Sequence, residues 1–568
     1  MSKKEITRMP WRSLEEYRGK LYSGQWPTLP EMFQITVARY GERPCFTIYE
    51  PDRISLTYKE SLEKIGAVAR YLHSKGIRKG DTVAVTGKNS PEWTVAYLGI
   101  LFAGATVVPI DYQLKNEETD LLLKTSKAKI LFVDEEKHKR YAEEAENRGL
   151  LSEVISLHKG IGTYIYTLDG PTAEIESASE HDRAAILFTS GTTGNPKGVM
   201  LTHQNLVSDC YLAQGHLDLY PEDVFYALLP IHHAYTMLAV FIEAISCGAE
   251  VVFGKRMVTQ VILKDLKQAQ VTMLLGVPML FNKVLAGIIR GLKAKGPIVY
   301  GTISALMGIS GYIKKVFGVN PGKKMFRAVL DKASLTSLRI CICGGGPLAP
   351  SVFKKYNELG IDFIQGYGLT ETSPIINLNP KERYKETSVG KVIPQVDMKI
   401  LAPDERGVGE IIVKGPMVME GYFEMPEETK AAFTEDGYLK TGDLGYLDDE
   451  NYLYLTGRAK NLIVTEGGKN VYPEEIENEF QLFEEIEQIL VRGFEIDKKM
   501  KTEGIEALVY PNPDAFKGTP KDQIKSRIDA IISEVNQRLL PYQKIEKTAV
   551  LDERMEETTT KKIKRDSV

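Results

Sequence analysis

Between an apolar run, Ala184 to Phe188, and Val199 the chain reads Thr189-Ser190-Gly191-Thr192-Thr193-Gly194-Asn195-Pro196-Lys197-Gly198. Four hydroxyls, three glycines and one lysine in this stretch leave many backbone N–H groups accessible, little side-chain bulk and one point charge. A loop that cradles phosphate groups needs these properties. The spacing is not that of a Walker A loop, which requires Gly-Lys followed by Ser or Thr. Here Lys197 is followed by Gly198, Gly254-Lys255 by Arg256, and Gly468-Lys469 by Asn470.

Several distant segments share the same chemical theme. Gln365-Gly366-Tyr367-Gly368-Leu369-Thr370-Glu371-Thr372 combines an aromatic that can lie on a flat ring, a hydroxyl, and a carboxylate suited to Mg²⁺ on phosphates. Tyr438-Leu439-Lys440-Thr441-Gly442-Asp443 places a carboxylate after a tight turn, where it could accept two ribose hydroxyls, and Arg458 follows downstream. The chain also carries a His232-His233 pair, a Gly344-Gly345-Gly346-Pro347 turn, and a cationic end at Lys561-Lys562-Ile563-Lys564-Arg565. Taken singly, each has an ordinary explanation as a solvated turn, a packed ring or an exposed charge. Joint occurrence favours chemistry.

The elements that must position these residues follow an α/β grammar. Ser61 to Lys75 has apolar residues at Leu62, Ile65, Val68, Ala69 and Leu72, a helical stripe that Gly76 ends. Strands are expected at 82–86 and 106–110, with a helix at 91–103 between them. The pattern resumes after the phosphate-type loop: strands at 223–229, 250–253, 271–276, 338–343 and 362–364, helices at 239–246, 278–289 and 349–359. Residues 389–456 are richer in short strands and turns and suggest a small β subdomain, and a compact α/β pattern fills the remainder after 457–460.

At 568 residues, 43% hydrophobic, 26% charged and with a net charge of −4, the chain is a multi-domain globular protein with no nucleic-acid footprint. The N-terminal residues lack an apolar core, so no secretory signal is expected, and Glu243 and Glu250 interrupt the most apolar window. The expected location is cytoplasmic. Five scattered cysteines read as buried reduced thiols, with Cys341 and Cys343 on one face of a strand. Residues 291–330 stand apart: Lys293, Lys295, Lys314, Lys315, Lys323, Lys324 and Arg327 are interleaved with apolar side chains, and no acidic residue occurs. Such a stretch can lie peripherally on the inner face of an anionic membrane, or pack its apolar side on its own domain.

In this order the motifs resemble the acyl-adenylate-forming (AMP-binding) enzyme superfamily, which includes acyl-CoA synthetases, firefly-type luciferases and the adenylation domains of peptide synthetases. The likeness runs from about residue 30 to 566, and the layout is similar to that of long-chain fatty acyl-CoA synthetases. It implies an α/β multi-domain fold: an N-terminal domain, 1–457, of two α/β subdomains plus a small β subdomain, a hinge at 458–460, and a mobile α+β C-terminal lid, 461–568. It implies ATP, Mg²⁺ and coenzyme A as the small molecules involved, a fatty acid as substrate, and leaves a homodimer open. By position, Thr189, Ser190, Gly191, Thr192, Thr193, Gly194 and Lys197 would hold the β- and γ-phosphates of ATP. Gly345, Gly346 and Pro347 would line the adenine and acyl pocket, and Tyr367 would stack on adenine, with Gly366 and Gly368 beside it in the ATP site. Thr370 would meet the α-phosphate, Glu371 the Mg²⁺, and Asp443 and Arg458 the ribose. His233 matches the active-site histidine, Lys460 the hinge, Gly467 and Gly468 the coenzyme A path, and Lys562, set by register with Ile563 and Arg565, the catalytic lysine. Transfer to a carrier protein instead of coenzyme A, an aryl or medium-chain acid, and a silent lipid-binding scaffold are the alternative readings; intact Lys197, Glu371, Asp443 and Lys562 oppose the last.

Overall fold

The structure is a computed structural model describing residues 9–148, 151–172, 174–189, 196–256, 258–465, 469–497, 502–558 and 563–565. Two large sheets sandwich a helical layer. In the larger sheet, parallel strands Asp362–Tyr367, Ile340–Cys343, Met273–Gly276, Val224–Ala227, Glu250–Phe253 and Pro44–Ile48 run side by side, and Ile54–Thr57 closes that edge antiparallel. In the smaller sheet, Arg183–Thr189, Thr106–Ile110, Thr82–Thr86, Ile130–Val133 and Glu153–Ser156 are parallel, while Lys197–Thr202 and Gly421–Tyr422 add antiparallel strands at the other edge.

Helix Pro91–Phe102 shows why the layers hold together. Ser90 caps its first turn through the Trp93 amide, and every residue from Pro91 to Leu101 is buried. A helix apolar on all sides has water on none. Helix Tyr58–Ser74 covers it, with Thr57 and Glu60 forming a capping box, and Gly76 in the left-handed region (φ +84°) where the sequence places a stop. Ser61 is buried on that helix and Leu62 only half-buried, a slight rotation of the expected stripe.

The short strands expected at 389–456 are present and continue the larger sheet. Gly390–Val392, Asp397–Leu401, Gly409–Lys414, Leu439–Leu447 and Tyr452–Arg458 are joined through Asn377–Leu378 and Asp362–Tyr367 to the parallel sheet. After Asn461 a three-stranded sheet, Ile486–Asp497, Thr502–Pro511 and Lys547–Val550, packs on helix Lys521–Asn536 around its own core of Val491, Ala507, Ile528 and Ile531. Alternation puts Cys341 and Cys343 in the core with Tyr356 and Phe363, and Ile340 and Ile342 in the opposite one; all five thiols are free.

The basic stretch at 291–330 is mostly one helix, Pro297–Phe317, lying on helices Pro278–Lys293 and Pro350–Glu358. Its buried side is narrow: Met307, Ser310 and Lys314. The Lys314 ammonium binds Asp362 and Asn357 at 2.7 Å each, and burial lowers its pKa despite the Asp362 charge. No helix among the described residues is long and apolar enough to cross a membrane.

Candidate active site

In open α/β sheets the loops at the carboxyl ends of parallel strands can part to form a ligand crevice. Here His232, His233 and Tyr235 follow Val224–Ala227, Val277 and Pro278 follow Met273–Gly276, the Gly344–Pro347 turn follows Ile340–Cys343, and Tyr367 ends Asp362–Tyr367. From the smaller sheet, Asp111 follows Thr106–Ile110 and Thr189 ends its strand. All of them line one cleft of about 3050 Å³, whose far wall is formed by Gln481, Glu484, Ile563 and neighbours from the C-terminal unit. A single-ligand pocket occupies roughly 300–1,000 Å³, so the cleft spans a pocket and the gap between the two bodies.

At one pole, Tyr367, Asp443 and Arg458 converge. Asp443 and Arg458 are paired across strands Leu439–Leu447 and Tyr452–Arg458, with Arg458 Nε 3.0 Å from Asp443 Oδ1. The Tyr367 hydroxyl donates to Asp443 Oδ2 at 2.7 Å. Burial, and then the Asp443 carboxylate, push the Tyr367 phenol well above its ordinary pKa, so it remains a donor. Gly368 has no room for a side chain, since a Cβ there would lie 1.6 Å from the Pro374 carbonyl oxygen. That close approach fixes the direction in which Tyr367 leaves its strand.

At the other pole, Thr189 and Lys197 face each other as register partners at the ends of a hairpin. Ser190, Gly191, Thr192, Thr193 and Gly194 lie outside the described residues. Lys197 Nζ sits 4.8 Å from the centre of the Tyr422 ring, and the Tyr422 hydroxyl donates to Glu371 Oε1 at 3.0 Å. Lys197 and Glu371, far apart in the chain, thus share one intermediary. Thr370 lines the cleft beside them. Glu371 fits an Mg²⁺ ligand: a hard oxygen donor, oriented by a hydroxyl and open to the cleft, beside a cation that suits phosphate.

Gly345 adopts φ +77° at the bend of its turn, a conformation that glycine supplies without strain. Gln481 of the C-terminal unit clasps that turn: its Oε1 accepts from the Ala349 amide at 2.8 Å and its Nε2 donates to the Pro347 carbonyl at 2.9 Å. Gly346 and Gly366 line the cleft nearby. His233 stands before a helical segment, Ala234–Cys247, whose middle, Met237–Ile242, widens into π turns, and its ring lies 4.3 Å from that of His232. Lys460 is exposed in the 3₁₀ turn Ala459–Asn461, where the large sheet gives way to the C-terminal unit. Gly467, Gly468 and Lys562 lie outside the described residues. Beside Lys562, Ile563 pairs with Glu557 and lines the cleft, and Arg565 binds both Glu477 carboxylate oxygens at 2.6 Å. Burial pushes the Glu477 carboxyl up to about 7 against the pull of that guanidinium.

Sequence reasoning missed Tyr422, Gln481 and Asp111. Tyr422 belongs to a two-residue strand and Gln481 to an irregular turn, neither of which leaves a periodic signature. Asp111 was visible only as the residue after the apolar strand Thr106–Ile110.

The model of a family described as AMP-binding enzyme matches residues 33–423. Among curated relatives, a long-chain-fatty-acid–CoA ligase of Bacillus subtilis (strain 168) is 28% identical, with 95% of this chain and 93% of that protein covered. A feruloyl-CoA synthase of an Amycolatopsis species is 28% identical over 83% of this chain and 85% of its own. A chloroplastic long-chain-fatty-acid–[acyl-carrier-protein] ligase of Arabidopsis thaliana is 27% identical over 96% and 86%. Among solved structures, an anthranilate CoA ligase superposes with a TM-score of 0.78 at 19% identity, covering 96% of each chain, a likeness of fold alone. The o-succinylbenzoate coenzyme A synthetase of Bacillus subtilis, in complex with ATP and magnesium ion, superposes with a TM-score of 0.72 at 25% identity, covering 94% of this chain and 98% of that one. The large sheets, the cleft at their carboxyl ends and the family match over most of the chain agree: this protein belongs to the AMP-binding enzyme family.

Proposed function

We propose that the enzyme is an ATP-dependent acid–thiol ligase acting on a fatty acid, with long chains favoured. The observation that carries this reading is the meeting, in one cleft, of the Tyr367–Asp443–Arg458 cluster and the Lys197–Tyr422–Glu371 cluster. The first suits a nucleoside and the second its polyphosphate.

In the first step a carboxylate oxygen attacks the α-phosphorus of ATP, the bond to the β-phosphate oxygen breaks, and pyrophosphate leaves. In the second a thiolate attacks the acyl carbonyl of the mixed anhydride, and AMP departs with the anhydride oxygen. Both steps bring negative groups together, so the residues act by positioning and charge neutralisation. Asp443 and Arg458 hold the ribose, Tyr367 the adenine, Thr370 the α-phosphate, and Lys197 with its loop the departing pyrophosphate. Gly345, Gly346 and Pro347 shape the pocket, His233 borders the reacting carboxylate, and Lys562 bridges it to the α-phosphate. Bound through Glu371, Mg²⁺ would offset phosphate charge. The body, 1–457, and the lid, 461–568, turn about 458–460 at Lys460, exchanging Lys562 for the face containing Gly467 and Gly468, where coenzyme A enters. Gln481, which holds the Pro347 turn, would be released in that swing.

An aliphatic acid is supported by the apolar wall of Leu217, Leu219, Phe225, Ala239, Met273 and Ile342, and by the Bacillus subtilis relative. Membrane delivery is supported by helix Pro297–Phe317, which leaves Ile298, Ile309, Tyr312, Val316 and Phe317 exposed, and by the exposed Lys293, Lys295 and Lys324 in the segments that flank it in the chain. The location we propose on this reading is cytoplasmic, peripheral on the inner face of a membrane. A carrier protein as acceptor is the second reading, favoured by the Arabidopsis relative.

ATP–pyrophosphate exchange across short to very long fatty acids, aryl acids and amino acids tests the proposal, and a signal that peaks on long-chain acids is expected. No exchange with any acid refutes it, and a peak on aryl acids replaces the substrate. Coenzyme A and acyl-carrier protein offered to preformed acyl-AMP separate the two acceptors. Flotation with anionic vesicles, compared between the wild type and a 291–330 deletion, tests the membrane contact; equal flotation removes it.

A further inference from the structure

The same cleft holds a second set of donors that the proposed reaction does not use together. Asp111, at the carboxyl end of Thr106–Ile110, and His232 and His233, beyond the end of Val224–Ala227, each present one ligand atom within 4.8 Å of the others. His232 Nε2 stands 3.6 Å from Asp111 Oδ2. Two ligands of one tetrahedral zinc-type ion, each ~2.0–2.2 Å from the metal, stand roughly 3.3–3.6 Å apart. The histidine side chain is 5% exposed, and its Nε2 stops just short of hydrogen-bond reach of the Asp111 carboxylate it faces, making no other hydrogen bond. Asp111 is already oriented: the Gln113 amide donates to Oδ1 at 2.9 Å, which leaves Oδ2 turned to the imidazole. The two histidine rings stand 4.3 Å apart, tilted 43°.

We propose that Asp111, His232 and His233 form a binding site for one divalent transition-metal ion of the zinc class, separate from the carboxylate Glu371. Two imidazoles and one carboxylate match the preference of Zn²⁺ or Co²⁺, whereas Mg²⁺ selects oxygen donors and keeps its water. Three protein ligands leave a coordination position open, and all three residues line the cleft, so an external carboxylate or thiolate can complete the shell. Because the two sheets each supply part of the site, a bound ion also ties them together at the cleft floor.

The test uses the full chain, freed of metal by chelator and without ATP or acid, so that its outcome is independent of the ligase reading. Co²⁺ titration is expected to give one equivalent bound with a visible tetrahedral spectrum, resistant to millimolar Mg²⁺. Asp111→Asn and His232→Phe should each weaken binding at least tenfold. His232→Cys should retain the ion and add a thiolate-to-cobalt band, a readout that a purely structural role of His232 would not produce. Glu371→Gln should bind Co²⁺ as the wild type does. Absence of Co²⁺ binding, full binding by His232→Phe, or loss of binding in Glu371→Gln each overturns the site.

Discussion

Tyr422→Phe isolates one hydroxyl. The ring that faces Lys197 at 4.8 Å stays, while the 3.0 Å hydrogen bond to Glu371 Oε1 is lost. Hydrogen bonds to charged groups contribute about 1.5–3 kcal/mol, and water in the cleft reduces this towards about 1–2 kcal/mol. If Glu371 is the metal carboxylate, that energy is what holds it in its ligating orientation. At 1.4 kcal/mol per decade, the Mg²⁺ concentration for half-maximal ATP–pyrophosphate exchange should rise roughly 5- to 30-fold. At saturating Mg²⁺ the KM for ATP should move much less. Tyr422→Leu should add a further roughly 2- to 5-fold loss in apparent affinity for pyrophosphate, from removal of an exposed cation–π contact of about 0.5–1 kcal/mol. Thermal melting monitored by circular dichroism controls for folding. An unchanged or tighter Mg²⁺ dependence in a folded Tyr422→Phe protein would refute the assignment of Glu371, Tyr422 or both.

Glu243 is 2% exposed, and burial raises its carboxyl to about 8 despite hydrogen bonds from Gln214 and Cys210. From about pH 4.5 to 8 the unfolded chain has released a proton that the folded chain keeps, so this group makes wild-type stability fall as pH rises. Glu243→Gln lacks that proton, and its urea-unfolding free energy relative to wild type should improve by about 2 kcal/mol between pH 5.5 and 7.5; a flat difference contradicts a neutral buried acid. Lys314→Met leaves Asp362 without its ammonium and should cost about 2–4 kcal/mol, with proteolysis between 293 and 332 preceding global unfolding. If cleavage and melting stay coincident, Lys314 does not anchor that helix. Gly368→Ala places a Cβ against the Pro374 carbonyl, and should destabilise by about 1–3 kcal/mol or more while weakening ATP binding; wild-type behaviour would show that the turn can yield.

The sequence was most informative where composition and period are local. Helix Pro91–Phe102, the parallel strands and the inward pair Cys341 and Cys343 are each written in a few consecutive residues. Tyr367, Asp443 and Arg458 could be nominated separately, because each sits in a short stretch of distinctive chemistry. That Tyr367 and Arg458 both attach to the same carboxylate is a fact of strand register, which depends on partners far along the chain. The same limit hid Tyr422 and Asp111, whose significance lies entirely in what faces them. That the strands at 389–456 continue the larger sheet was not legible, because alternation reports a strand but not the sheet it joins. The helix at Pro297–Phe317 was read only as a basic amphipathic stretch, since a narrow buried side of Met307, Ser310 and Lys314 leaves almost no 3.6-residue signal.

The pairing of Gly421 with Met200 and of Tyr422 with Val199 has a consequence for biogenesis. Strand Lys197–Thr202 emerges from the ribosome with one side bonded to Arg183–Thr189 and the other bare until the distant pair arrives. At ~5–20 residues per second that edge stays open for on the order of ten to forty seconds, long enough for a neighbouring nascent chain to add a strand. Arrival of Tyr422 covers the edge and supplies the link between Lys197 and Glu371 in one event, so the phosphate pole of the cleft matures only when this open edge disappears.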